Sequence, residues 1–469
     1  MSELDQDPIE EFYRDSLATV DKQGKRIWIF PKMPKGKFYE YRKLLSYVLL
    51  VVLFGLPWLR WNGEPLFLFN ILDREFILFG VHFVPQDFHI FVIGMLIMML
   101  FIVLFTVVFG RLFCGWVCPQ TIFMEMVFRR IEYWIEGDYN AQKRLDNAPW
   151  DRDKIIKRVA KHSIFYGIAF LIGNTFLAYI IGTDALLEII TDPVQEHLGG
   201  FTAMVLFSTA FYFVFSNLRE QVCTTICPYG RLQGVLLDKN SLAVYYDWVR
   251  GEPRGRISKK DPNPADKGDC IDCNLCVKVC PTGIDIRNGI QLECVNCTAC
   301  MDACDEVMEK IDRPKGLIRM DSHNGIAEKK HSLINARSIA YSIVLLVLVG
   351  LEVFLFSSRS DVETLVLRTP GKLYFERDSG IISNLYNYQL INKTDEILPV
   401  AFRIVNLDGE VEFVGEQPQT KENDVVEGAM FINIPESLLK ERKTSLILEV
   451  YSGDRVLDQT KTTFLGPVK

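Results

Sequence analysis

The last 165 of the 469 residues contain no cysteine, so no disulfide framework can hold that part of the chain together. Histidine is scarce at six residues, which leaves little material for an imidazole-rich metal centre. Of these, His89 and His162 border apolar runs at opposite ends, where they cannot face each other as a haem pair. A basic surplus is missing too: the formal net charge is −7, giving no reason to expect nucleic acid as a partner. No glycine-rich nicotinamide fingerprint occurs, so electrons must come from another protein or a diffusible reductant. The first forty residues are polar and lack a short apolar stretch with a small-residue cleavage site, so no signal peptide is expected.

What is present is strongly segregated. Hydrophobic residues make up 49% of the chain although 24% are charged. A chain of this length divides into about two to four units. Five apolar runs stand out: Leu44–Leu59, Phe88–Gly110, Ser163–Gly182, Leu198–Asn217 and Ser338–Ser357. Each is long enough to cross the hydrocarbon core as a helix, the first with help from flanking cationic and aromatic residues. Met95, Met98 and Met99 in the second run read as packing or lipid-facing residues. Glu352, close to the outer end of the fifth, reads as a snorkelling side chain.

Loop charges orient the spans. The N-terminal segment carries 9 Lys/Arg, the 111–162 loop 10 and the 218–337 segment 18. The loop before the second span has only Arg60 and Arg74, and that between the third and fourth has none. The positive-inside rule therefore expects the three basic segments in the cytoplasm and the C-terminus across the membrane. Beyond residue 358 the pattern changes to alternating runs such as Leu385–Asn392, Val400–Val405, Ala429–Ile434 and Ser445–Tyr451. Turn signals at Asp408-Gly409 and Ser452-Gly453-Asp454 separate them, and about seven short strands predict an immunoglobulin-like sandwich.

Eight of the twelve cysteines lie between Cys270 and Cys304. They read Cys270-x2-Cys273-x2-Cys276-x3-Cys280-Pro281, then Cys294-x2-Cys297-x2-Cys300-x3-Cys304. Doubled runs of this spacing serve two 4Fe-4S clusters, with the fourth cysteine of each run ligating the other cluster. The expected sets are Cys270, Cys273, Cys276 and Cys304, and Cys294, Cys297, Cys300 and Cys280. Zinc knuckles or disulfides are the weaker alternatives, and the stretch resembles a bacterial two-cluster ferredoxin.

The other four cysteines form two matching motifs, Cys114-x3-Cys118-Pro119 and Cys223-x3-Cys227-Pro228, each just after an apolar run. Proline suits the first helical position, which makes Cys118 and Cys227 N-cap residues and predicts lowered thiol pKa values there. After Pro119 the pattern Ile122, Phe123, Met126, Val127, Ile131, Trp134, Ile135 predicts an amphipathic helix along the membrane surface. Converging motifs would offer up to four soft thiolates, suited to Cu(I), zinc or another cluster, and a redox module on the same chain disfavours zinc.

The order of these parts resembles the cytochrome c oxidase accessory protein family (CcoG, FixG/RdxA type). That resemblance implies a multi-domain bacterial inner-membrane protein with a bundle of five transmembrane helices. Its segments would be 1–43, 44–217, a ferredoxin-like 218–337, 338–357 and a periplasmic 358–469. It implies Cu(II) reduction, with Cys114, Cys118, Cys223 and Cys227 handling copper as substrate or bound ion, in support of cbb-type oxidase assembly. Implied partners are copper transporters or chaperones, oxidase assembly factors, an unidentified electron donor and, as one admitted assembly, a second copy in a homodimer. A quinol-linked electron-transfer subunit and a non-redox scaffold remain open alternatives.

Overall fold

Among the described residues, five helices are long and apolar enough to cross a membrane: Lys37–Trp58, Phe88–Phe109, Arg152–Ile181, Leu198–Leu218 and Ala336–Ser357. They coincide with the five apolar runs, but two begin earlier than hydropathy alone suggests. The first starts at Lys37 because the Asp302 carboxylate accepts the N–H groups of Phe38 (3.1 Å) and Tyr39 (2.8 Å). This is a helix cap supplied from far along the chain. Gly36 must be glycine there: its φ is 146°, and a Cβ would stand 2.3 Å from the Asp302 side chain. The third starts at Arg152, where Asp151 caps the N–H of Lys154 at 2.8 Å.

The computed structural model describes residues 19–20, 23–61, 63–71, 75–79, 81–83, 88–256, 267–329, 336–358, 360, 362–377, 380–394, 397–420, 425–439, 441–453 and 455–467. Arg74, Asp454 and the charges before residue 19 fall outside them. The chain divides into two units, Met1–Leu72 with Gly94–Val349, and Asp73–Ile93 with Gly350–Lys469.

In the first unit, Phe128, Phe165 and Phe215 knit the helices together, with the Phe128 and Phe215 rings stacked at 4.6 Å. Met95, Met98 and Met99 are exposed on their helix. His162 is tied to the Tyr212 hydroxyl at 2.9 Å. The stretch after Pro119 departs from expectation. It is helical over Pro119–Ile122, winds as a π-helix over Phe123–Phe128 and resumes as an α-helix over Arg129–Ile135. It does not lie flat on a surface: Phe123, Met124, Met126 and Phe128 are buried on the apolar side, and Arg129 and Glu132 are buried too. Ion pairs with distant residues let the polar side enter the interior.

The ferredoxin-like part is closed by an antiparallel ribbon, Ala243–Tyr246 against Ile318–Asp321. Its apolar core includes Val244, Tyr246, Ile284, Met308 and Leu317.

The second unit carries two principal antiparallel sheets. One orders Glu410–Phe413, Val425–Pro435, Ile381–Asn392 and Val362–Arg368; the other orders Ala401–Ile404, Lys443–Ser452 and Arg455–Leu465. Alternate residues such as Leu446, Leu448 and Val450 face the core with Tyr386, Ile432 and Phe464. The central strands run to 12 residues, longer than the short strands expected. A hairpin, Glu75–Leu78 with Val81–Phe83, belongs to this unit and is not evident from hydropathy. The Oε2 of Glu352 has no hydrogen-bond partner among the described residues.

Candidate metal and electron-transfer centre

The two cysteine runs fold as near copies. Asp272 and Asn274 flank Cys273 with φ of 52° and 57°, and Asn296 and Thr298 flank Cys297 with φ of 53° and 62°. Left-handed residues on both sides of a middle cysteine curl the loop so that three sulfurs turn inward. Asp and Asn tolerate this region, whereas a β-branched threonine does not do so readily. Thr298 is held there by burial and by its hydroxyl, which donates to the Cys297 carbonyl at 2.7 Å. A helix follows each loop, Leu275–Lys278 and Ala299–Lys310, and carries the next sulfurs.

Two cavities result. One is lined by Cys270, Cys273, Cys276 and Cys304, with Tyr246, Met308 and Leu317 as apolar wall. The other is lined by Cys280, Cys294, Cys297 and Cys300, with Cys276 at its edge and Val244, Ile284 and Val295 as wall. Each run therefore sends its last cysteine to the other run's cavity.

All twelve cysteines are free thiols. Among the described residues no three His, Cys, Asp or Glu side chains converge as they would on a single ion. Four sulfurs spaced around an apolar hole fit a multi-iron cube better than one tetrahedral zinc. Burial pushes the thiols of Cys276 and Cys294 up to about 12 and that of Cys297 to about 11, and raises Cys300 and Cys304. Thiols this poorly solvated become thiolates only with bound cationic metal.

The two Cys-x3-Cys-Pro motifs also share a backbone. The N–H of Cys118 donates to Phe113 O at 2.9 Å and that of Cys227 to Val222 O at 2.8 Å, a bond to the residue five positions earlier in both. Cys118 and Cys227 are the N-cap residues of the helices starting at Pro119 and Pro228. The motifs touch each other reciprocally. The Cys114 thiol donates to Gln233 Oε1 at 3.0 Å, and Cys223 Sγ lies 4.0 Å from Thr121 Oγ1.

The expected fall in thiol pKa is overturned at Cys118. Burial raises it, and the Thr121 and Gln120 N–H groups at the helix start offset only part of that rise. Burial likewise pushes Cys114 and Cys223 up to about 12, with neighbouring cysteines adding to the effect.

The motifs pack directly on the second cavity. Cys114 and Cys223 lie against the apolar cluster that holds Val295, Cys297 and Cys300. A Cβ on Gly115 would meet Val295 O at 2.4 Å, so only glycine allows this approach. Arg111 joins three segments, donating to the carbonyls of Leu292, Gly230 and Cys294.

A network that spacing did not reveal lies beside them. Arg129 pairs with Glu125 (2.9 Å) and Glu220 (3.3 Å) and donates to the carbonyl of Pro281 at 3.0 Å, next to Cys280. Glu132 takes Arg219 and Lys161. Burial alone would raise the Glu132 carboxyl, but Arg219, Lys161 and Arg129 hold it below its ordinary value. The only advance signal was the presence of acids and bases on a helix read as half-polar.

Residues 218–323 match a family described as a 4Fe-4S dicluster domain, and 91–139 one described as a 4Fe-4S binding domain. Residues 353–467 match the IG-like fold at the C-terminal of FixG. Protein RdxA of Cereibacter sphaeroides is 37% identical over 387 residues, which is 78% of this chain and 80% of RdxA. The chain belongs to the FixG/RdxA family. Within that family, protein RdxB of the same organism is 37% identical over 396 residues, 81% of this chain and 82% of RdxB. Nitrogen fixation protein FixG of Rhizobium meliloti strain 1021 is 43% identical over 302 residues, 63% of this chain and 57% of FixG. The match thus spans little more than half of FixG. This FixG/RdxA chain is an iron–sulfur electron-transfer protein with candidate membrane-spanning helices.

Proposed function

We propose that the protein is a membrane-bound cupric reductase, taking Cu(II) to Cu(I) at Cys114, Cys118, Cys223 and Cys227. The observation that carries this reading is the packing of Cys114 and Cys223 against the group that contains Cys297 and Cys300. Cys270, Cys273, Cys276 and Cys304 would hold one 4Fe-4S cluster, and Cys280, Cys294, Cys297 and Cys300 the other. When bound, such clusters supply one-electron carriers, the currency that Cu(II) reduction needs.

The chain's own residues do the rest. Soft sulfur donors stabilise Cu(I) over Cu(II), so the four cysteines favour the product state. Copper displaces the thiol protons as it binds. Gln233 and Thr121 hold Cys114 and Cys223 in place through the opposite motif. By the positive-inside rule the cysteine sites face the cytoplasm of a bacterial inner membrane, and the sandwich lies in the periplasm. The reduced copper would pass to copper transporters or chaperones that serve assembly of a cbb-type oxidase.

A second reading has one specific support. Cys114 and Cys118 fall within the 91–139 match to a 4Fe-4S binding domain, which favours a third cluster on the same four sulfurs. Iron analysis separates the two: about eight iron atoms per chain fits the copper site, and about twelve fits a third cluster. The copper reading is tested by anaerobic Cu(II) reduction with the quadruple variant Cys114→Ala, Cys118→Ala, Cys223→Ala, Cys227→Ala. Undiminished reduction would sink it.

A further inference from the structure

A cleft in the first unit has about 750 Å³ of space and lies outside both cysteine cavities. Such a volume suits a ligand of nucleotide size, since small-molecule pockets run roughly 300–1,000 Å³. Three aromatic rings line it: Tyr245, Trp248 and His323. Trp248 lies 5.1 Å from His323 and 6.4 Å from Tyr245, ring centre to ring centre. The Nδ1 of His323 is buried and has no hydrogen-bond partner among the described residues.

The charge in the cleft is uneven. Arg111 is 5% exposed, donates to three carbonyl oxygens, has the Glu293 carboxylate in its vicinity and leaves its Nε without a hydrogen bond among the described residues. Lys239 is exposed on the rim and makes no ion pair among the described residues. The nearby acid, Asp238, is occupied by its own turn, accepting the N–H groups of Asn240 (2.7 Å) and Ser241 (2.9 Å). Two cations that form no ion pair among the described residues, beside a wall of flat rings, call for an anion attached to a planar ring.

Position narrows the chemistry. Arg287 lines both this cleft and the cavity of Cys270, Cys273, Cys276 and Cys304. Arg111 reaches from the cleft to the Cys294 carbonyl, in the wall of the other cavity, at 3.4 Å. A donor bound here must give up electrons singly, because 4Fe-4S centres take one each. A reduced nicotinamide gives a hydride, and a quinol carries no anion for Arg111 and Lys239.

We propose that this cleft binds a phosphorylated flavin, flavin mononucleotide in its reduced form, as the electron donor. Its ring stacks against Trp248 and His323, and its phosphate meets Lys239 and Arg111. One dihydroflavin releases two electrons and two protons. The electrons match two one-electron acceptors in the adjoining cavities, and the protons leave to solvent. The proposal rests on the electron-transfer reading but not on copper as acceptor.

The test uses the purified full-length protein with its iron in place, titrated with flavin mononucleotide and followed by quenching of flavin fluorescence. Riboflavin, inorganic phosphate and a short-chain quinone are the comparison probes. Binding of flavin mononucleotide at least about tenfold tighter than riboflavin is expected, as a phosphate contact would give. Lys239→Ala, on an exposed side chain, should weaken flavin mononucleotide about tenfold and leave riboflavin unchanged; Trp248→Ala should weaken both. Photoreduced flavin mononucleotide should bleach the cluster absorbance with no copper present. Equal binding of the two flavins, an unchanged affinity in Lys239→Ala, or displacement by the quinone would each overturn the proposal. A successful flavin titration alongside failed copper reduction would leave this site standing and remove only the copper step.

Discussion

The two kinds of cysteine site are held in opposite ways. The eight cysteines from Cys270 to Cys304 ride on curled loops with left-handed residues, around two apolar holes. The four in the Cys-x3-Cys-Pro motifs sit at helix starts, steadied by Gln233 and Thr121 from the opposite copy. The first arrangement suits a resident group that never leaves. The second is the arrangement that the proposed copper site would use.

The largest expected effect tests that distinction at its weak side. In the quadruple cysteine variant, Cu(II) reduction should fall at least about a hundredfold while iron stays near eight atoms per chain. A loss of iron together with activity would erase the difference between the two site types. Next, Cys294→Ala should remove one cluster, lowering iron by about half and changing the reduced-state electron paramagnetic resonance spectrum. Retention of full iron would reject Cys294 as a ligand.

The buried network that ties the two regions comes third. Glu132→Gln should destabilise the protein by about 3 kcal/mol, read as a lower midpoint of thermal unfolding in detergent. The same carboxyl gives an acid dependence. Because it is held below its ordinary value of 4.5, its contribution is present above that pH and is lost as pH falls through the lower folded value. Acid unfolding of Glu132→Gln should therefore be shallower than that of the parent. The smallest effect belongs to Gln233→Leu, which removes the acceptor for the Cys114 thiol at a cost of about 1 kcal/mol. It should slow copper reduction a few-fold and leave iron untouched.

Cysteine spacing made the grouping of sulfurs legible, because sulfur counts and gaps are local. The pairing of Arg129 with Glu220 was not, since those residues meet across 91 positions and each looks like an ordinary surface charge. The same reason hid the early start of the first span. Its cap, Asp302, lies 263 positions from Tyr39. Hydropathy found the five spans yet missed the hairpin at Glu75–Leu78 and Val81–Phe83, whose strands are too short to show a period. The rise in the Cys118 thiol is not legible in the sequence, because a helix start is visible there and the surrounding desolvation is not.

The grip of Arg111 on the carbonyl of Leu292 spans 181 positions. A ribosome adding about 5–20 residues per second needs roughly 10–40 seconds to travel that distance. For that interval every nascent chain carries its first Cys-x3-Cys-Pro motif without the loop that will enclose it. The motif is thus bare until residue 292, about three-fifths of the way along the chain, has been made.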